Sequence, residues 1–75
     1  MRIDGKTIKL LRLSEELTQE QLAERLGINA VTTISNVETG YRPVSDSLKI
    51  KLIRRFNLTE QRIEELKSLE KAIYA

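Results

Sequence analysis

Two stretches decide the fold of this chain: TQEQLAERLG at residues 18–27 and ISNVETG at residues 34–40. Thr18 is a good N-cap residue, and Gln21 three positions later completes a capping-box pattern. Apolar residues recur at helical spacing in both stretches. Gly27 suits the position just after a helix end. The pair therefore predicts two short helices joined by a Gly-containing turn.

Working outward from these stretches, we predict five helices in a single all-α domain over residues 1–75. Pro43 is the only proline, and the three glycines lie near apparent helix ends. The predicted helices span about 5–14, 18–26, 30–38, 46–55 and 59–74. The expected inward residues are Ile8, Leu11, Leu22, Ala23, Leu26, Ala30, Ile34, Val37, Leu48, Leu52, Ile53, Phe56 and Ile63.

The composition excludes several classes of protein. A chain of 75 residues makes one domain with a small core. It contains no Cys and no His, which excludes disulfides and zinc fingers and removes the commonest acid–base catalyst. The sequence contains no apolar run long enough to predict a membrane-spanning helix. We expect a cytoplasmic protein that is not an enzyme and needs no cofactor or metal.

The net charge is only +2, but its distribution is uneven. Residues 18–40 carry a net charge of −2, whereas residues 41–57 carry +4. A surface that faces phosphates would therefore depend mainly on the second segment and on the N-terminal residues. An ordinary solvated helix face explains the same charges.

Residues 8 to 58 resemble the Cro and lambda-repressor-like helix-turn-helix family. That resemblance implies a five-helix domain whose members usually bind operator DNA as dimers and read the major groove with helix 3. Proteins of this fold also serve as antitoxins and anti-repressors. The matching residues are Ile8, Leu11, Arg12, Thr18, Gln19, Leu22, Ala23, Gly27, Ile34, Ser35, Val37, Glu38, Gly40 and Pro43.

The chain departs from the family pattern between the first and second stretch. Six residues, 28–33, separate Gly27 from Ile34, one more than is usual. An extra residue inside helix 3 would rotate the preceding residues by about 100°. We place it in the turn, because Ile34 and Glu38 then keep their usual positions.

Polar residues of helix 3 are the candidate DNA contacts. The Asn36 amide can both donate to and accept from an adenine edge, and Val31 can pack on a thymine methyl. Gln19 at the start of helix 2 and Arg42 in the loop after helix 3 are suited to bind DNA phosphates. The Tyr41 ring can alternatively pack over helix 4, and a solvated helix face explains the polar residues equally well. The candidates are Gln19, Val31, Thr32, Thr33, Ser35, Asn36, Tyr41 and Arg42.

The resemblance also implies an ion pair between Arg12 and Glu38. Such a pair would fix the recognition helix against helix 1. As an active site it would lack a nucleophile.

Helix 5 carries an apolar stripe that extends past the usual end of the domain. Ile63, Leu66, Leu69 and Ile73 share one face. The small core is expected to cover only the start of this stripe. We assign Leu66, Leu69 and Ile73 to a dimer or partner interface, with helix 1 of the same chain as the alternative cover.

The sequence therefore predicts a transcriptional repressor of phage or bacterial type that binds double-stranded DNA as a homodimer. The alternative is an anti-repressor or antitoxin-type module whose helix 3 binds another regulatory protein. The net charge of residues 18–40 and the lack of Lys and Arg between Ala30 and Thr39 favour that alternative.

Overall fold

A computed structural model describes residues 1–74, with side chains as far as Ala72. All regular elements in this part of the chain are α-helices. In chain order they are α1 (Gly5–Ser14), α2 (Gln19–Arg25), α3 (Val31–Glu38), α4 (Asp46–Phe56) and α5 (Glu60–Tyr74). The all-α fold with five helices agrees with the sequence prediction.

One apolar core joins the five helices. Each helix supplies at least one side chain that is almost entirely buried, because its apolar residues recur at intervals of three or four. The most deeply buried are Ile8, Leu10, Leu11, Leu22, Ile34, Leu52 and Leu66. Ile3, in the segment before α1, is also buried at 4 % exposure and closes one end of this core.

Side chains cap four of the helices at their N-termini. At α2, Thr18 accepts a hydrogen bond from the Gln21 N–H, and the Gln21 side chain accepts one from the Thr18 N–H. The capping box is therefore present as predicted. The four capping residues are Asp4, Thr18, Ser45 and Thr59.

Asp4 caps α1 through two hydrogen bonds from Thr7. The Thr7 N–H and the Thr7 hydroxyl each donate to Oδ1 of Asp4 at 2.8 Å. Burial works to raise the pKa of Asp4, but the bonds from Thr7 and the charges of Lys67 and Arg2 outweigh it, so this pKa lies below its ordinary value. The cap is therefore formed by the charged carboxylate.

Residues in the left-handed conformation close four helices. They are Glu16, Gly27, Gly40 and Asn57, with φ between 51° and 81°. At the end of α2, the Gly27 and Ile28 N–H groups donate to the carbonyls of Glu24 and Ala23, a Schellman motif. Glu16 makes the equivalent turn after α1 without the freedom of a glycine.

The turn between α2 and α3 spans residues 26–30. α2 ends before Gly27, and α3 begins at Val31 as regular α-helix, with Ala30 as its N-cap. The prediction that Ala30 faces inward is wrong: its side chain is exposed, because the helix begins only at the next residue. Its methyl group also forms no capping bond. Ile34 and Glu38 both lie within this helix, as the placement of the extra residue in the turn requires.

α1 and α5 pack side by side in opposite directions. The Lys6 Nζ lies 2.6 Å from Oε1 of Glu70 at one end, and the Arg62 Nη2 donates to the Ser14 hydroxyl at 3.1 Å at the other. α1 therefore covers most of the length of α5. Leu66, between these two points, has no exposed surface.

α1 also approaches the end of α3 closely at Gly5. A Cβ at this position would collide with the backbone carbonyl oxygen of Val37. The absent side chain lets the first turn of α1 lie directly against the last turn of α3. Gly5 therefore helps to set the position of α3 in the domain.

Candidate nucleic-acid interface

Arg12 and Glu38 hold the C-terminal end of α3 against α1. The Nε and Nη2 of Arg12 donate to the two carboxylate oxygens of Glu38 at 2.7 and 3.1 Å. The side chains of Arg12 and Glu38 are only 12 % and 3 % exposed. Nη1 of Arg12 also donates to the Leu17 carbonyl at 2.9 Å, which ties in the segment before α2. The two residues that the resemblance pairs are thus in contact.

Gln19 completes this network from the first turn of α2. Its Nε2 donates to Oε1 of Glu38 at 3.2 Å. Gln19 is half-buried, and this one bond leaves the amide a second N–H with which to donate. The contact orients the amide beside the end of α3, where we expected a phosphate contact alone.

α3 has a buried side and an accessible side. Ile34 and Val37 are buried. The accessible side carries most of the predicted DNA contacts. Val31, Thr32 and Thr33 are exposed, and Ser35 and Asn36 are half-buried.

A groove of about 440 Å³ lies between α3, the loop that follows it and the start of α4. Thr33 and Asn36 form one wall, and Arg42 and Pro43 form part of the other. The Arg42 N–H donates to the Asn36 carbonyl at 3.1 Å and holds the loop against the helix end. Three predicted contacts, Thr33, Asn36 and Arg42, therefore lie together.

Tyr41 and Val31 lie outside this groove. Tyr41 is 75 % exposed, so its ring does not pack over α4. Val31, at the first turn of α3, lines a second groove with Glu20 and Glu24 of α2. The predicted contacts thus extend along α3 with acidic side chains at one end and Arg42 at the other.

Three residues of α4 and its cap lie beside the candidate interface, although sequence reasoning did not select them. Ser45, Ser47 and Lys51 line a groove with Thr33 and Ile28. The spacing of Ser47 and Lys51 places them on one face of α4. The cluster of basic residues in the segment 41–57 was the available signal, but only the groove that Lys51 lines together with Thr33 shows which of these cations lies near α3.

The residues assigned to a dimer or partner interface separate into three cases. The assignment of Leu66 to the interface was wrong, because α1 and the core enclose this side chain completely. Leu69 is 37 % exposed and stays available for contact. The side chain of Ile73 lies outside the described residues.

Comparison with known families agrees with this geometry. A family model described as helix-turn-helix matches residues 8–63, which span all of α2, α3 and α4. The chain belongs to the Cro and lambda-repressor-like helix-turn-helix family. No curated protein and no solved structure matches it closely enough to count as a relative.

The helix-turn-helix family is a family of DNA-binding regulatory domains, which are not typically enzymatic. In such a unit the second helix is the one that enters the major groove, and here that helix is α3. None of the helices in the described part of the chain has the length and apolarity that crossing a bilayer requires.

Proposed function

We propose that this helix-turn-helix protein is a sequence-specific repressor that acts by occupying operator DNA in the cytoplasm. The accessible side of α3 carries the proposal, because polar side chains on it face outward while Glu38 anchors the same helix to α1. A rigidly held helix with outward polar groups is what reading base edges requires. The proposed mechanism needs no ligand, metal or cofactor.

Each proposed contact follows from the chemistry of its side chain. Asn36 reads a base edge, with Thr32 one helical turn before it on the same face. Arg42 and Gln19, both attached to the C-terminal half of α3, hold phosphates. Lys51 adds a third phosphate contact beside the groove that it shares with Thr33. Ser35 and Tyr41 are proposed as weaker contacts to the DNA backbone.

We propose that two copies bind one operator and that Leu69 forms part of the contact between them. An exposed leucine that continues the buried face of α5 is a suitable apolar contact. A dimer would set the two copies of α3 about one DNA turn, 34–36 Å, apart. Sedimentation of Leu69→Glu should show weakened self-association, whereas Leu13→Glu, at an equally exposed leucine of α1, should not change it. If the wild-type chain stays monomeric at high concentration, the proposal of a dimer is contradicted.

A second candidate function is binding to another regulatory protein through α3. α3 contains no Lys or Arg, and residues 18–40 carry a net charge of −2, which suits a basic protein surface as a partner. DNA remains our preferred partner because the basic side chains of Arg42 and Lys51 border the same surface.

Selection from a random pool of double-stranded DNA separates the two functions. We expect enrichment of a motif with two-fold symmetry, and loss of affinity for that motif in Asn36→Ala. Gln61→Ala, which changes an exposed amide on α5, is the matched control and should bind normally. A pool that shows no enrichment after repeated rounds would favour the protein-binding function.

A further inference from the structure

We infer that α3 selects A·T base pairs, with Asn36 recognising an adenine and Val31 a thymine methyl group. The inference rests on the proposed function and specifies which bases the same surface takes. It follows from which side chains α3 presents and from which it lacks.

α3 lacks the basic side chains that usually recognise guanine. Guanine is most often read by Arg or Lys, which donates two hydrogen bonds to its O6 and N7 atoms. None of the eight residues of α3 is basic. The nearest side chains of that kind, Arg42 and Lys51, come from the loop and from α4 and lie at the border of the surface. We therefore assign Arg42 and Lys51 to phosphates and not to base edges.

Asn36 supplies the chemistry that adenine needs. Its backbone carbonyl accepts hydrogen bonds from the Arg42 N–H and the Thr39 hydroxyl, which fix the residue in place. Its side-chain amide makes no hydrogen bond to any other described residue. One donor and one acceptor are therefore free to match N7 and the N6 amino group of adenine.

Val31 supplies an apolar contact at the other end of α3. It is 36 % exposed and is the only large apolar side chain of α3 on the accessible side. The C5 methyl of thymine is the one apolar group that a base pair presents in the major groove. The neighbouring Glu20 and Glu24 disfavour a phosphate at this end. A thymine methyl is consequently the contact that suits Val31.

Base analogues placed in the selected DNA motif test both assignments. Replacing the contacted thymine by deoxyuridine removes the methyl and should weaken wild-type binding about fourfold, the value of one buried methyl group. Replacing the contacted adenine by 7-deazaadenine removes the N7 acceptor and should weaken it about 5-fold or more. Val31→Ala shortens the apolar side chain and should reduce the effect of deoxyuridine without changing that of 7-deazaadenine. Asn36→Ala should abolish the effect of 7-deazaadenine without changing that of deoxyuridine. Leu13→Ala, which trims an exposed leucine on α1, is the control and should leave both effects intact.

The outcomes distinguish this inference from the function on which it rests. Suppose that binding to the motif is weakened by 7-deazaguanine and is unaffected by Val31→Ala and by Asn36→Ala. That result would overturn the inference of A·T selection and leave DNA binding intact. A wild-type chain that enriches no motif would overturn the proposed function, and the inference with it.

Discussion

The carboxylate of Glu38 lies in the guanidinium fork of Arg12, with N–O distances of 2.7 and 3.1 Å. Both side chains are largely excluded from water. The fork connects the last residue of α3 to the last turn of α1. It therefore fixes the orientation of the helix that we expect to read DNA.

Arg12→Ala should destabilise the fold by about 3 kcal/mol, because it leaves the Glu38 carboxylate buried without its cation. Urea denaturation measures this change. The double variant Arg12→Met/Glu38→Leu replaces the pair by apolar groups and should recover most of the lost stability. Coincident denaturation midpoints for Arg12→Ala and wild type would show that the pair contributes nothing.

Gly5→Ala should destabilise the protein by about 1–3 kcal/mol, because the new methyl overlaps the carbonyl of Val37. Helix propensity alone predicts the opposite sign, a gain of roughly 1 kcal/mol. Thermal or urea unfolding decides between these signs. A more stable variant would mean that α1 and α3 do not approach closely at this position.

Asp4 should make stability sensitive to acid. Its pKa in the folded protein is below the ordinary value of 3.8, so its cap stabilises the fold at higher pH and is lost as the pH falls below about that value. Asp4→Ala should cost about 1 kcal/mol at pH 7, and the difference should shrink toward pH 2. Asp4→Ser, which keeps a capping oxygen that does not titrate, is the control. A difference that stays constant with pH would contradict the charged cap.

Arg42→Ala should weaken binding to all DNA sequences by a similar factor, because phosphates carry no sequence information. The slope of log affinity against log salt should decrease by about one unit. Lys71→Ala removes an exposed cation from α5 and should leave the slope unchanged. Equal slopes for Arg42→Ala and wild type would argue against a phosphate contact.

Local sequence signals predicted much of the fold, since capping and turn chemistry involve few residues. The Thr18–Gln21 capping box and the turn at Gly27 are examples. Glu16 in the left-handed conformation was not predictable, because the tertiary structure imposes a backbone that Glu seldom adopts.

The remaining differences concern contacts between helices. The burial of Leu66 depends on how far α5 runs along α1, which the apolar pattern of one helix cannot specify. Lys51 likewise belongs to the candidate interface only because the fold brings it to the same groove as Thr33 of α3. The collision that excludes a side chain at Gly5 is a third example.

An NMR titration of the isotope-labelled full chain with the selected DNA motif tests most directly whether α3 is the DNA-reading helix. We predict that the largest amide shifts occur at Gln19, along Val31–Glu38 and at Arg42, with smaller shifts near Lys51. The first turns of α5, around Gln61, should not respond. Shifts concentrated on α5, or no shifts at all at saturating DNA, would contradict the account.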